Sequence, residues 1–380
     1  MLSAALGLSI LPDLSGVGKI LVFLVMLSVL VVFHELGHFI VARINRVRVN
    51  DFAIGMGPTL LKWTSPRSGT NYRLNLFPVG GYCAMQGEDG KTNEAEQQRR
   101  FRTEGDKLDD DNFQAKAPLS RLGIIAAGPL ANFFVALALL FVVALGFGTQ
   151  VALPTVGALQ PNMPAQRIGL RPGDTIVKVD GVTIKDGAQL VDTIHASANK
   201  QLTLTIRRGE KLFTVKAVPE DRVLGGKHVG LLGFAPRETM QRASLSEAFP
   251  DAMTTFWFFL SMQLGVLASL VTAPVHAFGG LAGPVGIAAM SGQVQSLGWG
   301  PYFMLAAQIS ISLGIFNFLP IPALDGGRGA FIIAELLRGK PVDPEKEAFV
   351  HFAGFAALMM LMVFVTYHDI VRLLAGRGTL

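Results

Sequence analysis

The chain has 380 residues, of which half are hydrophobic and only 16% are charged, with a mean hydropathy of +0.43. This composition excludes an ordinary soluble protein and indicates an integral membrane protein with a hydrophilic portion. The net charge of +5 fits Lys- and Arg-rich cytoplasmic loops, and no basic patch is interleaved with aromatic residues, so we expect no nucleic-acid partner. Cys83 is the only cysteine, which excludes an intrachain disulfide.

The first apolar segment carries a metal-binding pattern. Residues 20–42 contain only three ionisable side chains, His34, Glu35 and His38, and as a helix they would extend about 34 Å, enough to cross a bilayer. Two histidines four residues apart lie on one helix face and can bind Zn²⁺, while the glutamate between them can accept a proton from an activated water. Ionisable groups at this depth are costly unless paired or bound to metal, which favours a functional site over a hydrogen-bonded core pair.

Basic residues after this first span predict its orientation in the membrane. Arg43, Arg46 and Arg48 follow it directly, so the positive-inside rule places its C-terminal end in the cytoplasm and the N-terminus outside. Residues 34–42 would extend about 13 Å as a helix. The predicted metal therefore lies nearer the cytoplasmic surface than the outer one.

Between residues 51 and 86 the pattern changes from helical to extended, with alternating apolar residues and frequent glycine and proline. We interpret this stretch as one or two β-hairpins against the membrane, whose edges must be covered by protein or line a polar cavity. Such an edge can pair with an extended substrate, and the candidate residues are Arg73, Leu74, Asn75 and Leu76. A packed hairpin without a substrate role is the alternative. Residues 86–116 are charged and predict a solvated cytoplasmic loop.

The second span, residues 122–147, has no charged side chain but contains Pro129 and Asn132. A buried amide inside a membrane needs a partner. We consider two roles for Asn132, support of the active site and a hydrogen bond between helices, and the sequence leaves both open.

Residues 155–235 are more polar and rich in predicted strands. The run from Gly169 to Gly181 reads Gly-Leu-Arg-Pro-Gly-Asp-Thr-Ile-Val-Lys-Val-Asp-Gly, and a helical segment at 186–198 precedes an alternating strand at 202–206. This pattern resembles the bacterial, circularly permuted PDZ domain, in a single copy. The resemblance implies peptide binding by strand addition, with peptide C-termini as the ligand class.

Residues 252–272 form an uncharged run that hydropathy alone assigns as a span. The third span, residues 300–319, ends where Pro320 and Pro322 break the helix and turn the chain toward Asp325. If Asp325 is to reach the metal, only one crossing can separate it from an outer PDZ domain. We therefore predict that residues 252–272 lie along the outer interface or pack on the bundle without crossing. A fifth crossing is the alternative.

Several motifs together resemble the site-2 protease family of intramembrane zinc metalloproteases, over nearly the whole chain. They are His34-Glu-Leu-Gly-His38, Arg73-Leu-Asn-Leu-Phe-Pro-Val-Gly-Gly-Tyr82, Ala127-Gly-Pro-Leu-Ala-Asn132, Gly283-Pro-Val-Gly286 and Asn317-Phe-Leu-Pro-Ile-Pro-Ala-Leu-Asp325-Gly-Gly. The resemblance implies the bacterial RseP/RasP branch, which cleaves transmembrane helices of anti-sigma factors and remnant signal peptides after a first protease has shortened them. The single PDZ copy favours a single-PDZ relative. The resemblance also implies a membrane re-entrant β-loop and a hydrogen bond from Asn317 to the substrate backbone; a bond that secures its own helix break is the alternative for Asn317.

The predicted fold is thus a polytopic α-helical membrane protein with four transmembrane helices, a re-entrant β-hairpin region and an inserted, mainly β, PDZ domain. We expect it in the bacterial cytoplasmic membrane, in contact with lipid, with the N-terminus and PDZ domain on the periplasmic side. The predicted segments are 1–48 (first span), 49–116 (cytoplasmic β-loop and charged loop), 117–149 (second span), 150–240 (PDZ domain), 241–298 (interfacial or linker region), 299–327 (third span), 328–347 (cytoplasmic loop) and 348–380 (fourth span and tail).

The predicted chemistry needs four side chains. His34, His38 and Asp325 supply three ligands for one Zn²⁺ per chain and leave the fourth tetrahedral position open, as catalytic zinc requires. Zinc in such a site activates a water and polarises the scissile carbonyl, while Glu35 accepts the proton and later passes it to the leaving amide. We expect pre-cleaved, single-span membrane proteins as substrates.

Two other classes of function would account for parts of the sequence. A catalytically silent membrane scaffold that binds partners through its PDZ domain would not need Glu35. A transporter would explain buried polar residues, but it leaves the two histidines and Glu35 unexplained, and the sequence shows no internal repeat.

Overall fold

The computed structural model describes residues 16–88, 110–224, 227–272, 283–340, 342 and 344–374. The chain divides into two compact units, a β domain formed by residues 144–246 and a helical unit formed by the segments before and after it. Most of the charged loop predicted at residues 86–116 lies outside the described residues, because positions 89–109 are not among them.

The elements follow one another in an order that interrupts a helical bundle with two β regions. In chain order they are α1 (Gly16–Ile44), β1 (Val49–Thr64), β2 (Asn71–Met85), α2 (Pro118–Gly146), β3 (Thr149–Leu159), α3 (Pro164–Arg167), β4 (Thr175–Val179), β5 (Val182–Thr183), α4 (Gly187–His195), β6 (Leu202–Arg208), β7 (Lys211–Ala217), β8 (Glu220–Leu224), β9 (Lys227–Leu231), β10 (Phe234–Gln241), α5 (Leu245–Thr272), α6 (Pro284–Ser296), α7 (Trp299–Phe318), α8 (Asp325–Arg338) and α9 (Pro344–Leu374).

Five of the described helices are long and apolar enough to cross a membrane: Gly18–Ile44, Pro118–Gly146, Leu245–Ser269, Trp299–Phe318 and Lys346–Val371. The protein is therefore a multi-pass membrane protein of the kind that its composition indicates. Length and hydropathy do not confirm the predicted count of four crossings, because α5 also meets both criteria. The region predicted as an interfacial linker contains this 28-residue helix and the shorter helix α6.

Small residues let the central helices of the helical unit approach closely. A Cβ on Gly37 of α1 would lie 2.3 Å from the Ala127 carbonyl oxygen of α2, and a Cβ on Gly314 of α7 would lie 2.5 Å from the Phe133 ring. Ser310 on α7 also donates to the Asn132 carbonyl of α2 at 2.8 Å. Glycine at these positions permits the close contacts that bring α1, α2 and α7 together.

Strands β1 and β2 bend back on themselves, so that the pair forms more than a simple hairpin. Leu74 pairs with Ile54 on one side and with Leu61 on the other, whereas Gly81 pairs with Ile54. Residues 71–74 therefore lie in the centre of the small sheet. The second half of β2, from Gly81 to Met85, has a register partner only in β1 residues 49–54 and forms an edge of the sheet.

The β domain has its own apolar core. Its main sheet has the order β10-β3-β4-β6-β7, with β5 beside β4, and β8 and β9 form a separate pair. Side chains from both sheet and helix fill the core, among them Val156, Ile176, Leu190, Leu204 and Ile206, each fully buried. At one end of this order, β10 is an edge strand whose residues from Arg237 to Gln241 are exposed.

Candidate metal and catalytic site

Three ligand atoms converge where α1 meets the start of α8. The Nε2 atoms of His34 and His38 lie 3.2 Å apart, and Oδ2 of Asp325 lies 3.0 Å from the first and 3.3 Å from the second. Zinc ligands at about 2.0–2.2 Å in a tetrahedron are separated by about 3.3–3.6 Å. The triangle formed by the three atoms is thus close to one face of a zinc tetrahedron, and Asp325 Oδ2 has no hydrogen-bond partner in the described structure. The residues fit a zinc ion.

Both imidazoles are held through their other ring nitrogen. Nδ1 of His38 lies 2.9 Å from the Ile124 carbonyl oxygen and must donate its hydrogen there, which leaves Nε2 free as a ligand. Nδ1 of His34 lies 3.1 Å from Nδ2 of Asn132, whose side chain is 1% exposed and whose Oδ1 has no hydrogen-bond partner among the described residues. The oxygen and nitrogen of an amide have nearly the same shape, and exchanging them turns the oxygen to Nδ1, so that Asn132 accepts the Nδ1 hydrogen and gives His34 the same tautomer. Of the two roles considered for Asn132, this contact favours support of the active site.

Gly128 of α2 lies directly against the ligand rings. A Cβ at this position would lie 2.2 Å from Nε2 of His38 and 2.8 Å from Cε1 of His34. Because the rings are hydrogen-bonded to α2 on their other side, they cannot swing away without losing those bonds. Helix α2 therefore shapes the site in two ways. Its Ile124 carbonyl and Asn132 side chain orient the imidazoles, and the absence of a side chain at Gly128 leaves room for them.

Glu35 lies beside the ligands and against the edge of β2. A Cβ on Gly81 would be 3.6 Å from Cγ of Glu35, and the Cys83 backbone lies close to its carboxylate. The carboxylate shares a cavity of about 250 Å³ with His34, Asn132, Asn317 and Asp325. The apolar residues Val31, Leu313, Ala323 and Leu324 complete the lining.

A tight turn after α7 delivers Asp325. Helix α7 ends at Phe318, and the Leu324 backbone caps the start of α8. Pro320 and Pro322 lie in this turn and prevent the helix from continuing, and Ala323 has a φ of +76°, in the left-handed region. Gly326 is also required, because a Cβ there would lie 2.2 Å from the Leu319 carbonyl oxygen.

Of the four β-loop residues predicted to bind substrate, Arg73 and Leu74 lie in the centre of the small sheet, and Asn75 and Leu76 follow them along β2. Arg73 pairs with Asp51 at 2.7 Å, and Asn75 is 5% exposed with its amide on the Gly55 carbonyl at 3.0 Å. Leu74 and Leu76 are exposed, but Leu74 has strand partners on both sides. The edge that faces Glu35 is the later part of β2, from Gly81 to Met85, whereas the four candidate residues lie earlier in the strand.

Sequence reasoning missed Gly128, the Ile124 carbonyl and the Cys83 backbone. Gly128 is part of a quoted motif, and its closeness to Asn132, one helical turn away on the same face, was the signal that could have identified it. The two backbone groups could not be identified from the sequence, because residues of nearly every type have the same backbone groups.

A family model described as Peptidase family M50 matches residues 22–361. That range includes Glu35 and all three ligand residues. The chain belongs to peptidase family M50. As an M50 peptidase, it is a zinc metalloprotease.

Relatives of this M50 peptidase match it over nearly their full length. It is 32% identical over 418 aligned positions to the zinc metalloprotease RasP of Geobacillus kaustophilus, covering 93% of this chain and 98% of that protein. It is 31% identical over 425 positions to the regulator of sigma-W protease RasP of Bacillus subtilis, covering 94% and 99%. Among solved structures, the PDZ domain of the SdrC-like protein from Listeria innocua is similar to 24% of the chain, with 19% identity and a TM-score of 0.21.

Proposed function

We propose that this M50 peptidase cleaves peptide bonds within membrane-spanning segments, with His34, His38 and Asp325 as zinc ligands and Glu35 as the general base. One observation carries the proposal. The three ligand atoms form a triangle of tetrahedral size, and Glu35 opens into the same cavity. His34, Glu35 and His38 all lie on α1, which is long enough to cross a bilayer. Bound zinc supplies the charge that activates a water and polarises the scissile carbonyl.

The side chains then divide the remaining work. Glu35, oriented by the Cys83 backbone, accepts the proton of the attacking water and returns it to the leaving amide nitrogen. Asn132 keeps His34 in the tautomer that leaves Nε2 free. Asn317 lines the cavity and is placed to hydrogen-bond the backbone of an extended substrate. Pro320 and Pro322 hold the turn that presents Asp325.

A helix hides its peptide bonds in internal hydrogen bonds, so a transmembrane substrate must become extended before it is cleaved. An unpaired strand edge beside the catalytic residues can bind such an extended segment. Residues Gly81–Met85 offer such an edge, and they lie next to Glu35. Ser28 of α1 also donates to the Pro78 carbonyl, which ties this stretch of β2 to the catalytic helix. We therefore transfer the substrate-pairing role from Arg73–Leu76 to this edge, in a β-loop that re-enters the membrane.

The proposed substrates are single-span membrane proteins already shortened by another protease, such as anti-sigma factors and remnant signal peptides. The Bacillus subtilis relative bears the name regulator of sigma-W protease, which supports the first class. For the β domain we propose a PDZ fold on the outer side that binds peptide C-termini. The exposed edge strand β10 supports this role.

The proposed topology has four crossings, with α5 packed on the bundle. Helix α2 runs antiparallel to α1, because Ile124 contacts His38 and Asn132 contacts His34. The far end of α2 and the start of α1 therefore share one side of the bundle. Ala243, next to the start of α5, donates to Ala144 near the end of α2 at 3.0 Å, which supports a start for α5 on this side.

The start of α6 belongs to the same side. Gly283 and Gly286 donate to the carboxylate of Asp369, near the end of α9, at 3.2 and 2.8 Å. The opposite end of α9 contacts the turn before Asp325 through His351. The starts of α5 and α6 thus lie on the same side of the bundle. If α5 crossed the membrane completely, the ten residues 273–282 alone would have to return the chain to that side. This is a physical reason to prefer four crossings over five.

A single cysteine at Thr272 distinguishes the two topologies. In a Cys83→Ser background, Thr272→Cys at the exposed end of α5 should react with a membrane-impermeant maleimide added to spheroplasts, as should Glu210→Cys in the β domain. Labelling of Thr272→Cys only after the membrane is permeabilised, with Glu210→Cys labelled before, would instead establish a fifth crossing.

Zinc content and chelation test the proposed function. The protein purified in detergent should contain about one zinc per chain, and it should cleave a single-span substrate within its transmembrane segment. A chelator should stop the cleavage and added zinc should restore it. Zinc-independent cleavage, or cleavage confined to the soluble part of the substrate, would contradict the proposal.

A further inference from the structure

We propose that His351 of α9 is a positioning residue that holds Asp325 in place as a zinc ligand, by accepting a hydrogen bond from the backbone of Ala323. The inference rests on the proposed zinc site. It concerns a residue near the start of α9 that is not among the predicted zinc ligands.

The turn that carries Asp325 depends on support from outside itself. Within the turn, the Ile321 N–H donates to the Leu319 carbonyl at 2.7 Å, and the Leu324 N–H donates to the Ile321 carbonyl at 3.1 Å. The Ala323 N–H instead donates to an acceptor outside the turn. Ala323 also holds a φ of +76°, a region that a residue with a Cβ occupies only when its surroundings impose it.

Helix α9 supplies that support at two positions one turn apart. Nδ1 of His351 accepts from the Ala323 N–H at 2.9 Å. Gly354 packs against the preceding residue, since a Cβ there would lie 2.4 Å from Cβ of Pro322 and 2.8 Å from its carbonyl oxygen. The Pro322-Ala323 step is thus fixed both by a hydrogen bond and by close packing of the α9 backbone.

The imidazole of His351 is itself oriented. Its ring lies 5.5 Å from the Phe331 ring of α8, centroid to centroid, and its Nε2 lies 3.9 Å from a carboxylate oxygen of Glu347. Because Nδ1 accepts from the Ala323 N–H, the ring hydrogen is on Nε2, which is buried and makes no hydrogen bond to another described residue. His351 therefore contacts both the turn and the helix that starts with Asp325.

Only Leu324 separates Ala323 from Asp325, whose Oδ2 lies 3.0 and 3.3 Å from Nε2 of the two imidazoles. If the Ala323 N–H loses its acceptor, the left-handed conformation loses a constraint and the turn can relax. The carboxylate then moves relative to His34 and His38. Loss of an outer partner of a metal ligand typically weakens metal binding about 10–100-fold.

Two amide substitutions separate the hydrogen bond from the bulk of the ring. Asn has its oxygen at the position of Nδ1, whereas Gln has it near the position of Nε2. We expect His351→Asn to keep zinc affinity and activity close to wild type, and His351→Gln to lower zinc affinity by about 10–100-fold. His351→Phe keeps the ring against Phe331 without an acceptor and should behave like His351→Gln. His368→Phe, at an exposed position near the other end of α9, is the matched control.

The measurement is zinc retention against a graded chelator, made on full-length protein in detergent, together with the absorption spectrum of the Co²⁺-substituted protein. In His351→Gln the spectrum should shift away from that of the wild type, while His351→Asn restores it. Equal losses in the Asn and Gln variants, or full zinc retention in both the Gln and Phe variants, would overturn the assignment. Absence of zinc from the wild type would contradict the proposed function instead.

Discussion

Glu35→Gln should abolish cleavage of a transmembrane substrate while leaving the zinc content unchanged. The amide has the shape of the carboxylate and can keep its place beside the Cys83 backbone, but it cannot accept a proton at neutral pH. General acid–base catalysis contributes about 10²–10⁴-fold to rate, so we expect a loss of at least about 100-fold in kcat. The measurement is the rate of appearance of the cleaved transmembrane fragment, with zinc determined on the same preparation.

Two further substitutions make this result specific. Asp325→Asn should lose zinc as well as activity, because it removes the ligand charge that faces both imidazoles at 3.0 and 3.3 Å. Glu210→Gln, in an exposed turn of the β domain, should change neither quantity. If Glu35→Gln keeps full activity, Glu35 is not the base. If the cellular function also survives this substitution but not deletion of the β domain, the scaffold alternative is correct.

The inactive protein also serves to locate the substrate. In the Glu35→Gln background, a photo-crosslinking residue at Tyr82, on the edge of β2 beside Glu35, should capture a bound substrate. The same residue at Leu61, which pairs with Leu74 on the far side of the small sheet, should not. Capture from Leu61 alone would place substrate pairing at the opposite edge.

The sequence predicts the zinc ligands and the general base better than the residues that hold them in position. His34 and His38 are four residues apart on one helix, so their shared face and the place of Glu35 follow from helical geometry alone. Asp325 could be added because two prolines break the preceding helix and the motif is specific. Asn132 was recognised as a buried amide in need of a partner, but which helix supplied that partner depended on tertiary packing.

The β-loop shows why the substrate residues were harder to predict. Alternation indicates strands, and two strands are present. It does not show that β1 and β2 each bend, so that Leu74 acquires partners in both Ile54 and Leu61. Register shifts along the pair create this arrangement, and a shift of a single residue changes which stretch becomes an edge. The choice between Leu74 and Gly81 was therefore set by geometry that a linear pattern does not contain.

Helix α5 illustrates a different limit. Hydropathy evaluates each segment alone and gives five candidate spans. The distinction between four and five comes from long-range contacts, such as those of Asp369 with Gly283 and Gly286, 86 and 83 residues apart in sequence. His351 was missed for the same reason, since its partner Ala323 lies on a turn 28 residues earlier.

Gly128→Ala should remove zinc binding although it adds a single methyl group and replaces no ligand residue. The new Cβ would lie 2.2 Å from Nε2 and 2.6 Å from Cε1 of His38, far inside van der Waals contact. The ring cannot retreat freely, because Nδ1 is held by the Ile124 carbonyl at 2.9 Å. Either the ring rotates and loses that bond, or α2 moves away from α1, and in both cases the ligand triangle opens.

The expected loss of zinc affinity exceeds the roughly 10–100-fold that follows removal of an outer partner alone, since two ligands are displaced together. Overpacking of this kind also costs about 1–3 kcal/mol of stability, so zinc retention must be compared with thermal unfolding of the same variant. Gly123→Ala is the matched control, because it lies on the same helix and a Cβ there has no neighbour within 4 Å. We expect Gly123→Ala to retain zinc and activity. If Gly128→Ala also retains zinc and activity, α2 approaches the histidines less closely than this geometry requires. The absence of a side chain at position 128 is then not needed for zinc binding.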